Sequence, residues 1–243
     1  SLNAQFHIIN EPPTSISKQK ETNYQEPLIF AELDTEIEEL TVIDALEKMK
    51  MGNISALMFR NKKHSGLNMV YKRDDGLELS GVLYLPVDYD KKSKEKLPMI
   101  LWAYPREFKD KSSAGQSTKN ENKFTYPYYG SMVYWITKGY VVLDDASFPI
   151  VGEDNIEPND SFRTQLVDNA KAAINAVNKL GYIDTNRVAV GGHSYGAFMV
   201  ANLLSHSNLF SAGIARSGAY NRTLTPFGFQ SEERSYWESP DIY

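Results

Sequence analysis

Cysteine is missing from the whole 243-residue chain, which excludes a disulfide framework, a thiolate metal cluster and a cysteine nucleophile. Zero cysteines suits a reducing and an oxidising compartment alike. Basic charge is also in short supply. Against 31 Asp and Glu stand 26 Lys and Arg, for a formal charge of −5 and a pI near 5.5. Such a balance offers no footprint for a phosphate backbone, so nucleic acid is not an expected partner. Long apolar runs are absent as well. The longest, around 196–204, falls far short of the roughly 20 residues needed to cross a bilayer, and no membrane partner is expected. The start, SLNAQFHIINEPPTSISKQK, lacks the basic opening, apolar stretch and small-residue cleavage site of a signal peptide. It reads as a start from which any targeting segment has been removed. The compartment stays open, with periplasmic or extracellular placement compatible with a removed signal. What is present is ordinary globular composition, 42% hydrophobic and 23% charged, so a folded chain with a sizeable core is expected.

Texture divides the chain at about residue 65. Residues 1–65 hold Pro12 and Pro13, a polar stretch, short apolar clusters at 28–30 and 56–59, and between these Leu40, Ile43, Leu46 and Met49, whose spacing suggests an amphipathic helix. From there the pattern is regular. Residues 67–71 and 77–85 read as strands joined by the Asp74-Asp75-Gly76 turn. Apolar runs at 98–104, 140–143 and 187–191 read as strands buried on both faces. Between them a helix is expected to end at Gly139. A second is predicted over 162–177, capped by Asn159 or Asp160 and stopped at Gly181, and a third over 195–206. Strand and helix alternate, which predicts an α/β class with a mainly parallel sheet covered by helices on both faces.

The sharpest chemical signal is Gly192-His193-Ser194-Tyr195-Gly196. It follows a predicted strand and opens a predicted helix, the placement that forces a serine onto a strained turn with its hydroxyl exposed. The flanking glycines give room where a Cβ would clash. On this reading Ser194 is the nucleophile, and the Tyr195 N–H points where an oxyanion would form. The plain alternative is a serine N-cap on an ordinary strand-to-helix turn.

Around this pentapeptide the run GGHSYGAFM (191–199) and the run ARSGAYNRTLTPFGFQ (215–230) resemble the prolyl oligopeptidase family, the second run its glutamyl endopeptidase branch. Shorter similar stretches are WAYPREF (102–108), AGQ (114–116) and PIVGE (149–153), so the resemblance covers roughly 68–243. It implies an α/β-hydrolase catalytic domain over 66–243, with residues 1–65 as a possible junction from a preceding β-propeller. It also implies peptide substrates attacked through an acyl-enzyme on Ser194. Tyr104 matches the position of a tyrosine whose hydroxyl joins the oxyanion hole beside the Tyr195 N–H. The alternative is a strand-end tyrosine with a wet hydroxyl. Arg216 and Arg222 fall where relatives build the pocket for the residue before the scissile bond, and a guanidinium could grip a glutamate carboxylate with two prongs there. Their alternative is an ion pair with Glu232, Glu233 or Glu238.

One departure stands out. The fold places its triad in the order serine, acid, histidine, whereas the last histidine in this chain is His206, on the helix that leaves the turn. His193 is expected to pack by its strand, directed away from Ser194, and His7 and His64 precede the core. The later acids, Glu232, Glu233, Glu238 and Asp241, lie in a polar stretch. The expectation is a catalytic domain incomplete at the C-terminal edge of its sheet, inactive alone, that self-associates or takes a complementing C-terminal segment. An esterase on the same fold and a non-catalytic binding module are the competing readings. No cofactor and no metal are expected: Glu153, Asp154, Glu157 and Asp160 lack the spacing of a calcium loop. Phe124, Tyr126, Tyr128 and Tyr129 either line a substrate cleft or pack a loop onto the domain.

Overall fold

A computed structural model of the chain describes residues 3–7, 32–90, 93, 95–114 and 127–220. Arg222, Phe124, Tyr126 and the four late acids lie outside the described residues. The chain divides into two compact units between Ile37 and Glu38, well before the boundary expected at residue 65. The first unit contains strands β1 (Asn3–His7) and β2 (Glu32–Glu36), paired antiparallel.

The second unit holds β3 (Glu39–Leu40), α1 (Val42–Gly52), β4 (Ala56–Asn61), β5 (Leu67–Lys72), β6 (Glu78–Tyr84), β7 (Leu97–Phe108), β8 (Val141–Val151), α2 (Phe162–Asn178), β9 (Ile183–His193), α3 (Tyr195–His206) and β10 (Ala212–Arg216). Its sheet runs β10-β9-β7-β8-β6-β5-β4-β3. The four strands from β10 to β8 are parallel, while β8, β6, β5 and β4 alternate in direction. Residues 38–65 therefore hydrogen-bond into the sheet, and that is why the boundary moves forward. Thr41 caps α1 by accepting from the Asp44 N–H, and Asp44 reaches back to the Thr41 N–H, a reciprocal box that fixes where the helix starts.

Two apolar layers sandwich the parallel half. On one face Ile100 and Val142 pack with Met132 of a 3₁₀ helix, Met132–Lys138, and with Trp102, Ile136, Ala189 and Ile214. On the other, α2 packs against β8 and β9, and α3 against β9, β10 and β7. The 162–177 periodicity did mark a helix, which starts at Phe162 as expected, but its cap is Ser161 and not Asn159 or Asp160. A 3₁₀ turn, Pro158–Ser161, precedes it, and Glu157 and Asp160 cap that turn rather than α2. Glu153 is likewise engaged, with Lys111 at 3.0 Å. Among the described residues no helix is long and apolar enough to cross a membrane.

Beneath the α2 side of the sheet lies a buried polar knot. The Arg73 side chain, 5% exposed, donates to Asp75 at 2.9 and 2.7 Å, to Gln165 Oε1 at 3.2 Å and to Asn169 Oδ1 at 3.0 Å. Gln165 in turn bonds the Val151 N–H and C=O, and Asn169 the Pro149 carbonyl. The knot ties the β5–β6 turn, the end of β8 and the middle of α2 into one piece, and satisfied buried networks of this kind fix a single packing.

Candidate active site

Strand β9 delivers the chain to Ser194, which leaves it at φ 58° and ψ −115°, a region that costs a non-glycine residue roughly 1–3 kcal/mol. Two features hold it there. The Ser194 N–H donates to the Arg216 carbonyl at 2.8 Å, and its own carbonyl accepts from the N–H groups of Ala197 and Phe198 at 3.0 and 3.2 Å, opening α3. Glycine on either side permits the approach: a Cβ on Gly192 would stand 2.5 Å from the backbone of Gly196, and one on Gly196 would stand 2.7 Å from the Ala103 carbonyl oxygen. The turn is thus jammed between β7 and the first turn of α3, with Ser194 exposed at its tip.

Tyr195 follows at the first helical position. Its ring stacks on Phe162 and Phe198 at centroid distances of 5.6 and 5.9 Å and meets the edge of Tyr104 at 6.2 Å. Its hydroxyl donates to Glu107 Oε1 at 2.7 Å. Tyr104 is 47% exposed. It does not end its strand as the sequence suggested, because β7 runs on to Phe108 beside the extended β8. What ends near Tyr104 is the pairing with β9, whose last partner on β7 is Trp102. From that point β7 keeps only β8 as a neighbour as it runs past the elbow, and this brings Tyr104 and Glu107 to it.

On the opposite side of β9, Arg216 closes β10. Its Nη1 donates to the Gly130 carbonyl at 2.9 Å, and the guanidinium lies 5.8 Å from the centroid of the Trp102 ring. No carboxylate of the described residues pairs with it. Tyr128 and Tyr129 are 53% and 95% exposed, so they do not pin their loop to the sheet.

The histidines are scattered. His193 is exposed at the last position of β9 instead of packing there, because Gly191, two positions back, shares its face and is covered by Trp102 while the strand end runs past that cover. His206 ends α3, and His64 sits in the β4–β5 turn, accepting from the Gly66 N–H. Among the described residues no histidine or carboxylate hydrogen-bonds the Ser194 hydroxyl. Sequence reasoning overlooked Glu107 and Phe162, although Glu107 sits inside the WAYPREF run.

Similar stretches occur in known proteins. Residues 159–241 match the model of the prolyl oligopeptidase family. Over that stretch the chain is similar to that family. A probable chloroplastic glutamyl endopeptidase of Arabidopsis thaliana is 49% identical over 174 residues, 71% of this chain and 18% of the relative. Its Oryza sativa subsp. japonica counterpart is also 49% identical over 174 residues, with 19% of that relative covered. The chain therefore spans about a fifth of the length of these relatives. Among solved structures, dipeptidyl peptidase 4 of Porphyromonas gingivalis aligns with a TM-score of 0.44 and 24% identity, over 64% of this chain and 21% of that one. Acylaminoacyl peptidase of Pyrococcus horikoshii aligns at 0.39 and 22%, over 61% and 22%. Residues 24–77 match a different model, the Sigma 54 modulation/S30EA ribosomal protein C terminus. That match ends within the turn between β5 and β6, and the sheet continues across it without a break.

Proposed function

We propose that this chain carries the nucleophile half of a serine peptidase that cuts after glutamate. The observation that carries the reading is the strained, glycine-jammed Ser194 exposed between a parallel strand and a helix start. On this account Ser194 Oγ attacks the scissile carbonyl carbon, and its proton passes to a base. The oxyanion is met by the Tyr195 N–H and the Tyr104 hydroxyl. Collapse of the tetrahedral species breaks the C–N bond; the amine leaves with the proton, and water later hydrolyses the ester on Ser194. The base is supplied by a group outside the described residues, on this chain or on a partner that binds beside β10. In the described residues β10 ends the sheet, with Leu204 of α3 exposed next to it, which suits an added strand.

Arg216 supplies the glutamate preference, with Arg222 as the second candidate. Arg216 closes the elbow's neighbouring strand, carries a charge that no described carboxylate neutralises, and is held in a fixed pose by Trp102 and Gly130. Arg216→Met keeps the packing of the alkyl stem on Trp102 and removes the fork. It should lower kcat/KM on a peptide with Glu before the cut by about 10²-fold, with a far smaller loss on a small activated ester. Equal losses on both substrates would remove Arg216 from the pocket, and the same comparison on Arg222→Ala tests the other candidate. Tyr104→Phe should lower kcat by about 10²–10³-fold with little change in KM, read by steady-state kinetics on the full-length protein. An unchanged kcat would assign the Tyr104 hydroxyl to solvent.

A further inference from the structure

We infer that Glu107 is a positioning residue for the oxyanion hole, acting through the side chain of Tyr195. The inference rests on the proposed roles of Tyr104 and Tyr195. Two donors are needed on one oxygen, and in this fold they come from separate elements: the Tyr104 hydroxyl from the free end of β7, and the Tyr195 N–H from the start of α3. Nothing in the backbone ladder sets the gap between them. Pairing of β7 with β9 has stopped at Trp102 and Gly191, before either donor; the close approach of Gly196 to the Ala103 carbonyl sets where the two elements meet, and side chains set the spacing beyond it. A donor hole works only when both hydrogen bonds reach the same oxygen at about 2.7–3.1 Å.

The side chain that spans the gap is that of Tyr195 itself. Phe162 and Phe198 hold its ring on the helix side, and the edge of Tyr104 meets it on the strand side. These ring contacts allow sliding, because offset aromatic pairs tolerate a range of centroid distances. The hydroxyl bond to Glu107 at 2.7 Å does not. It is a short, charge-assisted contact with a defined direction, and Glu107 sits on the same projecting end of β7 as Tyr104. One bond from α3 to β7 therefore fixes the strand that carries one donor against the residue that carries the other. Glu107 and Tyr104 reach solvent on a stretch with a single neighbouring strand, β8, so this tie acts where the backbone is least constrained.

Steady-state kinetics of the full-length protein on a peptide substrate tests this, with unfolding temperatures measured alongside. Glu107→Ala and Tyr195→Phe delete the same bond from opposite ends. Each should lower kcat by about tenfold to a hundredfold with KM nearly unchanged, and the double variant should be no slower than the worse single. Glu107→Gln keeps an acceptor oxygen and should recover most of the loss. In a Tyr104→Phe background, where one donor is already gone, Glu107→Ala should cost far less than it does in the wild type. If Tyr104→Phe is slow but Glu107→Ala retains the wild-type kcat, or if the Glu107 and Tyr195 losses multiply, the positioning role is overturned while the oxyanion reading stands. If Tyr104→Phe is itself without effect, the reading beneath is overturned and the positioning role with it.

Discussion

Gly192→Ala is expected to lower the unfolding temperature by about 6–12 °C and to abolish reaction at Ser194. The added Cβ would lie 2.5 Å from the carbonyl carbon and oxygen of Gly196 and 2.7 Å from its Cα. These are backbone atoms of the first turn of α3, so no side-chain rotation relieves the contact. Relief requires α3 to lift from β9, which would uncover its own Ala197, Met199, Val200 and Leu203, all nearly inaccessible to solvent. Overpacking of a well-packed site costs about 3 kcal/mol at the upper end of the usual range, which gives the temperature shift for a unit of this size. The chemical effect is larger than the thermal one. The φ of 58° at Ser194 survives only while its surroundings enforce it, and a lifted helix lets the turn relax and withdraw the Tyr195 N–H. Circular dichroism melting and probe labelling on the same sample check both parts; a variant that labels at the wild-type rate would show that the turn does not need this approach.

Arg73→Met should be the most damaging change away from the elbow. Methionine approximates the volume of the stem but leaves Gln165 Oε1 and Asn169 Oδ1 without the donor that binds them at 3.2 and 3.0 Å. Leaving a buried polar group without its donor costs about 1–3 kcal/mol. The loss should be pH-dependent in a definite sense. Arg73 beside it is the leading cause that holds the Asp75 carboxyl down to about 2, with smaller help from the Leu77 N–H and Lys111 and with partial burial opposing them. A carboxyl whose folded value lies below its unfolded one stabilises fully above about pH 4, and that part is lost as the pH falls from about 4 towards 2. Since the Asp75 side chain is 38% exposed, water screens the pair and its share is modest. The expected result is a large drop in urea stability at pH 7 and a flatter fall between pH 4 and 2 than in the wild type. Wild-type stability at pH 7 would contradict the structural weight placed on the knot.

Most of the parallel half was legible in the sequence, for a physical reason. Strands buried on both faces must be continuously apolar, so 140–143 and 187–191 announced β8 and β9. The elbow was legible because only glycine fits where α3 meets β7 and β9. The missed features are those set by partners distant in sequence. Nothing local says that β7 runs to Phe108; it does so because β8 extends beside it, past a bulge in which Asp144 and Asp145 stand opposite Trp102. Arg73 reads as a surface charge after a strand until Gln165 and Asn169 arrive from α2. Glu107 reads the same way until Tyr195 arrives from the elbow. The two units divide at Glu38 and not near residue 65 because β4, whose hydrophobic signal at 56–59 is short, pairs with β5 and so belongs to the second unit.

The central claim is that Ser194 is an activated nucleophile, and reaction of the full-length protein with a fluorophosphonate probe tests it most directly. Attack by Ser194 Oγ forms the O–P bond, fluoride leaves, and the serine proton goes to the base. The account predicts a single adduct on the peptide that contains Ser194, absent in Ser194→Ala. A folded full-length protein that stays unlabelled, or that is labelled equally in Ser194→Ala, would contradict it and leave a binding module in place of an enzyme.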